Sequence, residues 1–355
     1  MYDIAIVGGY SWSNYGDEIT YYALYWLLSI EWNKKVLMVN WTRDALWPVY
    51  REPFLFDNSP YPDEALADVY DDLDDLKKLN NEADIFIAGS GQFFKPLILL
   101  TTNRLCLLEW VDSEKKKIAY SGSWGHDYIR LRQRERLKQS AAYKRFDAIS
   151  VREKSAVALA KTEFDIAVEW VLDPVFLMNK NIYDNLIGTR YMKNKNIVFG
   201  YILDPSREKE TIIQQICTTL DMPFKIITAG SKTAEATANL WSLEVESPAS
   251  LEQWLLYLRD AEYIVADSFH AMCLAIIFEK QFSIIKNAAR GAARFDSLVD
   301  YLDLHSRLLD ETNDSIEEKL AAQLHEKIDY TRIRPRIDRM KDWSIQWLKT
   351  HIYSS

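Results

Sequence analysis

A histidine, two arginines and several carboxylates follow short apolar runs of this chain, which is where parallel-sheet enzymes place reactive groups. His270 comes soon after the run Tyr263–Ala266 and opens a segment rich in Ala and Leu that has helical character. Asp267 or Ser268 would form the turn and the N-cap, and the free amides of a helix N-terminus attract negative charge. His270 is therefore predicted either as an acid or anion ligand in a crevice or as a partly buried helix-capping histidine.

Arg152 and Asp173 also follow short apolar runs. An arginine at a strand end can pair bidentately with a carboxylate or a phosphate, so Arg152 is predicted to bind an anion or to form a salt bridge with a neighbouring acid. Pro174 ends the strand-like run that begins at residue 170. Asp173, directly before the proline, is predicted either to face the crevice or to cap the turn.

The turn after the first apolar run contains glycines and two polar candidates. Gly8 and Gly9 permit close approach of the backbone to a ligand, but their spacing is not G-x-G-x-x-G and does not predict a dinucleotide site. Asn14 and Asp17 are predicted to hydrogen-bond a hydroxylated substrate, with helix capping by Asp17 as the alternative.

Two further turns of small residues lie in the same half of the chain. Gly89, Ser90 and Gln92 belong to a turn whose backbone amides can face a ligand. His126 ends a turn that begins at residue 120 and is a candidate for proton transfer. Each turn also fits an ordinary loop, but three such strand ends are consistent with one crevice.

Short apolar runs alternate with longer helical patterns along the chain, which indicates parallel sheets with helices on both faces. The polar stretch of residues 177–196 shows no strong core pattern, so a domain boundary is placed there. The acidic run of residues 63–75 is predicted to be a solvated helix face or loop rather than a metal site. The predicted strands are residues 4–7, 35–39, 85–88, 117–120, 148–151, 197–202, 224–228, 263–266 and 282–285.

The composition of the 355 residues is that of a globular protein, with 48% hydrophobic and 27% charged residues. A formal net charge of −9 disfavours nucleic acid or an anionic membrane as the main partner. The three cysteines are far apart and predict neither a disulfide framework nor a zinc site, and no metal is expected. No basic leader and no apolar run of about 20 residues is seen, so a cytoplasmic location is expected.

The order of these motifs resembles the polysaccharide pyruvyl transferase family over most of the chain. The motifs are N-Y-G-D at 14–17, G-S-G-Q at 89–92, Y-S-G-S at 120–123, S-V-R-E at 150–153, V-L-D-P at 171–174, S-F-H-A at 268–271 and R-F-D-S-L at 294–298. The resemblance implies an α/β fold of two Rossmann-like domains, with parallel sheets facing a central crevice as in GT-B proteins. Residues 1–180 would form the acceptor side, residues 181–330 the donor side, and residues 331–355 a helix that packs back on the body.

The resemblance also implies the reaction. Members of the family transfer the enolpyruvyl group of phosphoenolpyruvate onto a sugar diol as a cyclic ketal and release phosphate. Arg152 and His270 would then bind the donor, His270 being also a candidate acid, while Asp17, Asp173 or His126 would deprotonate the sugar hydroxyl. No cofactor is implied. The acceptor would be a bacterial polysaccharide or its lipid-linked precursor, which suggests contact with the inner face of the membrane.

One departure from the family pattern concerns the turn before His270. Many relatives carry arginine there, as S-R-F-H, whereas this chain has Asp267 and Ser268. Arg290 or Arg294 would have to supply the missing cation. The predicted substrate-binding residues are Asn14, Gly89, Ser90, Gln92, Arg152, Ser268, Arg290 and Arg294. The alternatives are a GT-B glycosyltransferase that uses a nucleotide sugar and a noncatalytic carbohydrate-binding protein of the same fold.

Overall fold

Two all-parallel β-sheets organise the chain. The computed structural model describes residues 1–9, 14–41, 56–70, 72–95, 101–228, 239–246, 249–287, 290–310 and 316–354. The strands of the first sheet are β1 (Tyr2–Val7), β2 (Val36–Trp41), β3 (Leu66–Tyr70), β4 (Ala83–Ala88), β5 (Lys116–Gly122), β6 (Ala148–Val151) and β7 (Glu169–Trp170). Those of the second sheet are β8 (Val198–Ile202), β9 (Phe224–Thr228), β10 (Tyr263–Ala266), β11 (Gln281–Ile285) and β12 (Leu308–Leu309).

Helices connect these strands. They are α1 (Tyr15–Tyr25), α2 (Thr101–Cys106), α3 (Gln133–Tyr143), α4 (Ser155–Phe164), α5 (Lys180–Ile187), α6 (Arg207–Leu220), α7 (Leu251–Asp260), α8 (Phe269–Ile277), α9 (Ala293–Leu302), α10 (Ile316–His325) and α11 (Tyr330–Tyr353). A π-helical turn, Trp26–Glu31, continues α1. In the part of the chain that the structure describes, no helix combines the length and apolar character needed to cross a membrane.

Each sheet has one point at which the strand order reverses. The first sheet has the order β3-β2-β1-β4-β5-β6-β7 and reverses between β1 and β4. The second has the order β12-β11-β10-β8-β9 and reverses between β8 and β10. Ligands of open α/β sheets bind beside such points, at the carboxyl ends of the strands. The predicted fold of two parallel-sheet domains is confirmed.

The structure adds detail to two predictions about the connections. The acidic run begins with a 3₁₀ turn, Asp63–Ala65, and its described residues from 72 onward are loop and 3₁₀ turn, as predicted. Its middle differs from the prediction, because residues 66–70 form the edge strand β3, whose side chains are partly or fully exposed. The polar stretch of residues 177–196 contains α5, in which Tyr183 and Ile187 are fully buried. These two residues are four apart and therefore lie on the same face of the helix, which is the face that packs on the core.

Helix α1 packs against both halves of the molecule. Its residues Tyr15, Ile19 and Ala23 belong to the core that contains the helices of the second sheet. Tyr21 and Leu24, on another face of the helix, pack against the first sheet. Tyr15 also stacks on Trp254 of α7, with ring centroids 5.2 Å apart. The helix that follows β1 therefore joins the two sheets, and its first turn lies between them.

The C-terminal helix α11 packs on the first half of the molecule. Its residues Trp347, Leu348 and Ile352 are buried in the core that contains Ile4 and Ile6 of β1. The chain thus returns to its first sheet after completing the second, while the boundaries proposed at residues 180 and 330 stay predictions. The Tyr10–Ser13 part of the first candidate turn lies outside the described residues.

Candidate anion-binding site

A buried ion pair forms the centre of the site. Arg152 follows β6, Asp173 precedes a 3₁₀ turn, and Nη1 of Arg152 lies 2.6 Å from Oδ2 of Asp173. Both side chains are almost fully buried, at 3% and 0% exposure. Burial opposes ionisation of Asp173, but hydrogen bonds and charges from His270 and Arg152 outweigh it and hold the pKa of Asp173 well below its usual range. Asp173 is therefore the permanent counter-ion of Arg152.

Other polar groups complete the shell around Asp173. Ser90 donates its hydroxyl to Oδ2 at 3.0 Å, and Thr20 donates to Oδ1 at 3.3 Å. The backbone amide of Val175 also donates to Oδ1 at 3.3 Å. The sequence predicted that Asp173 would either face the crevice or cap the turn. In the structure its carboxylate does two things: it accepts the amide hydrogen of Val175 in the turn, and it pairs with Arg152.

His270 reaches this pair from the second half of the chain. Ser268 is the N-cap of α8 and accepts the amide hydrogen of Ala271, which places His270 in the first turn. The imidazole Nε2 lies 3.4 Å from Nη1 of Arg152 and 3.6 Å from Oδ2 of Asp173. A Cβ atom on Gly16 would overlap Nδ1 of the same ring. Glycine at position 16 therefore allows the imidazole to lie against α1.

Asp17 lies beside His270 in the first turn of α1. The helix is capped by Asn14, whose side-chain oxygen accepts the amide hydrogens of Gly16 at 2.9 Å and Asp17 at 3.4 Å. Asp17 therefore need not cap the helix. Burial raises the pKa of the Asp17 carboxyl above its usual value, against the opposing influence of the charges on His270 and Arg152. A carboxyl of this kind can hold a proton in the crevice.

Arg294 is a buried cation in the first turns of α9. Its exposure is 7%, and no hydrogen bond or ion pair of its guanidinium is found within the described residues. The guanidinium carbons of Arg294 and Arg152 lie 5.4 and 5.2 Å from the ring centroid of Phe269. Burial and the nearby charge of Arg152 lower the pKa of Arg294. A buried charge without a partner is costly, so this arrangement favours an anionic ligand.

In the turn before His270, where many relatives carry arginine, the charged side chains are paired with their neighbours. Asp267 accepts a hydrogen bond from Nζ of Lys209 at 2.8 Å, and both side chains are buried. It also accepts the backbone amide hydrogens of Leu203 at 2.6 Å and Asp204 at 3.1 Å. Arg290 forms a two-pronged ion pair with Asp204. The charged groups of the turn are therefore paired, and of the two arginines predicted to supply a cation only Arg294 has no ion-pair partner within the described residues.

Loops from the two halves meet across the crevice next to this site. Gln92 donates its side-chain amide to the backbone carbonyl of Arg290 at 2.8 Å. Gly125 and Gly291 both have positive φ angles, of 76° and 97°, and a Cβ on Gly291 would overlap the carbonyl oxygen of Gly125. Burial and the charge of Lys95 lower the pKa of His126, which lies near the same contact. These residues form the rim of the site.

The structure brings together half of the predicted site residues in one cluster, formed by Asp17, Ser90, Arg152, Asp173, His270 and Arg294. Gln92, His126 and Arg290 lie at the rim, while Asn14 and Ser268 cap helices. Gly89 donates its amide to Val7, and a Cβ atom there would overlap the ring of Tyr21.

Thr20, Lys95 and Glu153 were not among the predicted site residues. Thr20 follows Asp17 by three residues, a helical spacing that could have indicated a shared face. Glu153 was visible in its motif, and its Oε1 accepts the backbone amides of Trp124 at 2.7 Å and Gly125 at 3.0 Å. Nothing in the sequence pattern distinguishes Lys95. Within the described ranges, no group of three His, Cys, Asp or Glu side chains could hold a metal ion.

Solved structures share the architecture of this chain. UDP-N-acetylglucosamine 2-epimerase from Rickettsia bellii matches with a TM-score of 0.57 and 11% identity, covering 98% of this chain and 94% of that chain. S. aureus MnaA, solved with UDP, matches with a TM-score of 0.56 and 11% identity over 99% and 97% of the two chains. A Thermobaculum terrenum O-GlcNAc transferase mutant, K341M, superposes less well, with a TM-score of 0.49 and 12% identity, and this chain, matched over 99% of its residues, spans 64% of that one.

The fold and the cluster define a GT-B-like protein of two Rossmann-like domains with a cationic site between them. A sequence profile described as polysaccharide pyruvyl transferase matches residues 14–288. The chain therefore belongs to the polysaccharide pyruvyl transferase family, which is a family of transferases. A search of the curated proteins gives no match.

Proposed function

We propose that this protein transfers the enolpyruvyl group of phosphoenolpyruvate to a sugar diol as a pyruvate ketal and releases phosphate. The observation that carries the proposal is the buried guanidinium of Arg294, which has no ion-pair partner within the described residues and lies with Arg152 beside Phe269. Phosphoenolpyruvate carries a phosphate and a carboxylate, so it offers the negative charge that these cations require.

The chemistry needs a proton donor next to the anion site. In the proposed reaction a proton adds to the methylene carbon of phosphoenolpyruvate, and the resulting cationic centre is attacked by one sugar hydroxyl. The C–O bond to phosphate then breaks and a second hydroxyl closes the ring. The two hydroxyls release two protons: one replaces the proton taken up by the methylene carbon, and the other is taken up by the released phosphate. Asp17, with its raised pKa, is suited to deliver the first proton. The neighbouring His270 would then return a proton to the Asp17 carboxylate.

The roles of the other residues follow from their contacts. Asp173 is unsuited as a base because its pKa is lowered, and it positions Arg152 and His270 instead. The sugar would approach from the rim, where Gln92 and His126 lie, so His126 is the candidate base for the sugar hydroxyl. The reaction as proposed uses phosphoenolpyruvate as its donor and no cofactor.

The acceptor proposed here is a sugar of a bacterial capsule or exopolysaccharide, or of its lipid-linked precursor. Such precursors are assembled at the inner face of the cell membrane, so a cytoplasmic enzyme would meet them there. Family membership supports a polysaccharide substrate. The lipid linkage and the membrane contact are part of the proposal.

The test is phosphate release from phosphoenolpyruvate with a panel of synthetic or lipid-linked galactosides and mannosides. His270→Ala and Arg152→Ala should each abolish release, whereas His305→Ala should not, since His305 pairs with Asp300 at the surface. No release by the wild type with any acceptor, together with binding of a nucleotide sugar, would instead favour a glycosyltransferase. Binding of the sugars without turnover of either donor would favour a carbohydrate-binding protein.

A further inference from the structure

Trp170 ends the edge strand β7 and is partly buried next to the backbone of Arg152. Its indole Nε1 donates a hydrogen bond to the carbonyl of Arg152 at 3.2 Å. The backbone amide of Arg152 donates in turn to the carbonyl of Gly122 at 3.1 Å. Both backbone hydrogen-bonding groups of Arg152 are therefore held, one by strand β5 and the other by the side chain of Trp170.

The position of this backbone determines where the Arg152 guanidinium lies. The guanidinium nitrogen Nη1 is 2.6 Å from Oδ2 of Asp173, and the guanidinium carbon is 5.2 Å from the ring centroid of Phe269. A displacement of about 1 Å is enough to impair a binding or catalytic group. The hydrogen bond from Trp170 therefore acts on the anion site through Arg152.

The ring of Trp170 also contacts the second half of the chain. It packs edge-on against Tyr301 of α9, with ring centroids 5.2 Å apart and an angle of 81° between the ring planes. Tyr301 lies seven residues after Arg294 in the same helix, a spacing of about two turns that places both residues on one face of α9. Trp170 thus contacts both the backbone of Arg152 and the helix that carries Arg294.

Helix α11 supports this contact from both sides. Nε1 of Trp343 donates to the carbonyl of Trp170 at 3.0 Å. The hydroxyl of Tyr301 donates to the carbonyl of Arg336 at 2.9 Å, and Nη1 of Arg336 donates to the carbonyl of Tyr301 at 3.1 Å. The two rings that join the halves are therefore both hydrogen-bonded to one helix.

We propose that Trp170 is a positioning residue of the anion site, which holds Arg152 by its backbone and sets the distance between Arg152 and Arg294. This inference rests on the proposed function in taking the bound anion to be the donor, and it adds a residue that the motifs did not single out.

The chemistry of tryptophan suits this role. An indole provides a large apolar ring and one directional N–H donor, so a single side chain can pack on Tyr301 and hold a carbonyl group. Neither contact brings a negative charge to the site. A carboxylate that held the arginines instead would neutralise the positive charge that an anionic ligand needs.

The experiment measures the affinity of inorganic phosphate for the full chain by calorimetry. Trp170→Phe keeps a ring opposite Tyr301 but removes the indole N–H, so a smaller share of the molecules holds Arg152 in its binding position. Phosphate binding should weaken about threefold to tenfold, as expected for one neutral hydrogen bond.

The matched control is Trp110→Phe. Nε1 of Trp110 donates to the carbonyl of Leu105, also at 3.2 Å, in the core of the first half. This variant loses the same kind of hydrogen bond at a place that does not contact the anion site. It should bind phosphate with the affinity of the wild type, even if its melting temperature falls as far as that of Trp170→Phe.

A double-mutant cycle tests the contact with Tyr301 from the other side. Tyr301→Leu should weaken phosphate binding about threefold to tenfold, because it removes the aromatic pair. In the Trp170→Leu background, where the pair is already lost, the same substitution should weaken binding by less than about twofold. Equal effects of Tyr301→Leu in both backgrounds, unchanged phosphate affinity in Trp170→Phe, or a wild type that does not bind phosphate would overturn the inference.

These outcomes separate the inference from the proposed function. Phosphate binding that depends on Trp170 in a protein that never releases phosphate from phosphoenolpyruvate would keep the positioning role and refute pyruvyl transfer. In a protein that does turn over phosphoenolpyruvate, Trp170→Phe should raise the KM for this donor by a similar factor and leave kcat nearly unchanged. Turnover with the same KM in Trp170→Phe and wild type would keep pyruvyl transfer and refute the role of Trp170.

Discussion

At the scale of single residues, the site is built from charges that are buried together. Arg152 neutralises Asp173 in a place from which water is almost excluded, so either charge without the other would be strongly destabilising. Ser90 and Thr20 stabilise the carboxylate further by donating hydroxyl hydrogens. The same pair fixes the position of His270, which lies within 3.6 Å of both partners.

Removal of the cation should therefore destabilise the fold as well as the site. Arg152→Met is expected to lower the free energy of unfolding by about 3–5 kcal/mol, because it leaves the Asp173 charge buried and uncompensated. Urea denaturation measures the change, and Arg134→Met, at an exposed position of α3, is the control. A loss below about 1 kcal/mol would mean that water compensates Asp173 and that the ion pair is not buried in solution.

Asp17 should control the proton transfer. Asp17→Asn is expected to reduce kcat about 10²–10⁴-fold, the usual contribution of a positioned acid. Because the pKa of Asp17 is raised, its protonated form persists above the ordinary carboxyl range, and wild-type activity should fall as the pH rises through that pKa. The residual activity of Asp17→Asn should lack this fall. A kcat for Asp17→Asn equal to that of the wild type would exclude Asp17 as the acid. Asp68→Asn, at an exposed position, is the control.

The sequence supplied the identity of the central residues but not their roles. Arg152, Asp173 and His270 were predictable because each lies at or shortly after the end of an apolar run and belongs to a motif. That Asp173 pairs with Arg152, and that Arg294 has no partner within the described residues, depends on which side chains meet in space. Pattern and spacing carry no information about such long-range pairing.

At the scale of secondary structure, the first turn of α1 is the part that joins the domains. Gly16 contacts the imidazole of His270, and Thr20, one turn later, donates to Asp173. Asn14 fixes where the helix begins by capping it. The contact therefore depends on one glycine, because any Cβ at position 16 would overlap the His270 ring.

Gly16→Ala should displace His270 and lower both stability and turnover. The expected cost is about 1–3 kcal/mol, typical of an added group in a packed site. A double-mutant cycle isolates the contact, since in His270→Ala the ring is absent and the added methyl should cost less than about 0.5 kcal/mol. Equal costs in both backgrounds, measured by thermal denaturation, would show that Gly16 matters for another reason.

The elements were predicted unevenly from the sequence. All nine predicted strands coincide with observed strands to within a few residues, because buried parallel strands are continuous apolar runs. The strands β3, β7 and β12 were missed. Each lies at the edge of a sheet and is short or partly exposed, so its composition lacks the apolar signal on which the prediction depends.

At the scale of the whole molecule, the site exists only where the two halves meet. Arg152 and Asp173 come from the first half, whereas His270 and Arg294 come from the second. The sequence predicted two parallel-sheet domains, but it could not predict how α1 and α11 tie them together. These contacts join residues far apart in the chain, such as Tyr15 and Trp254.

The most direct test of pyruvyl transfer is an NMR analysis of the product formed from phosphoenolpyruvate and an acceptor sugar in deuterated water. Pyruvyl transfer should give a ketal methyl group that carries one deuterium, because the acid that protonates the methylene carbon exchanges with solvent, and it should release one phosphate for each ketal formed. A product with no new methyl group, or a nucleoside diphosphate released from a nucleotide sugar instead, would contradict it.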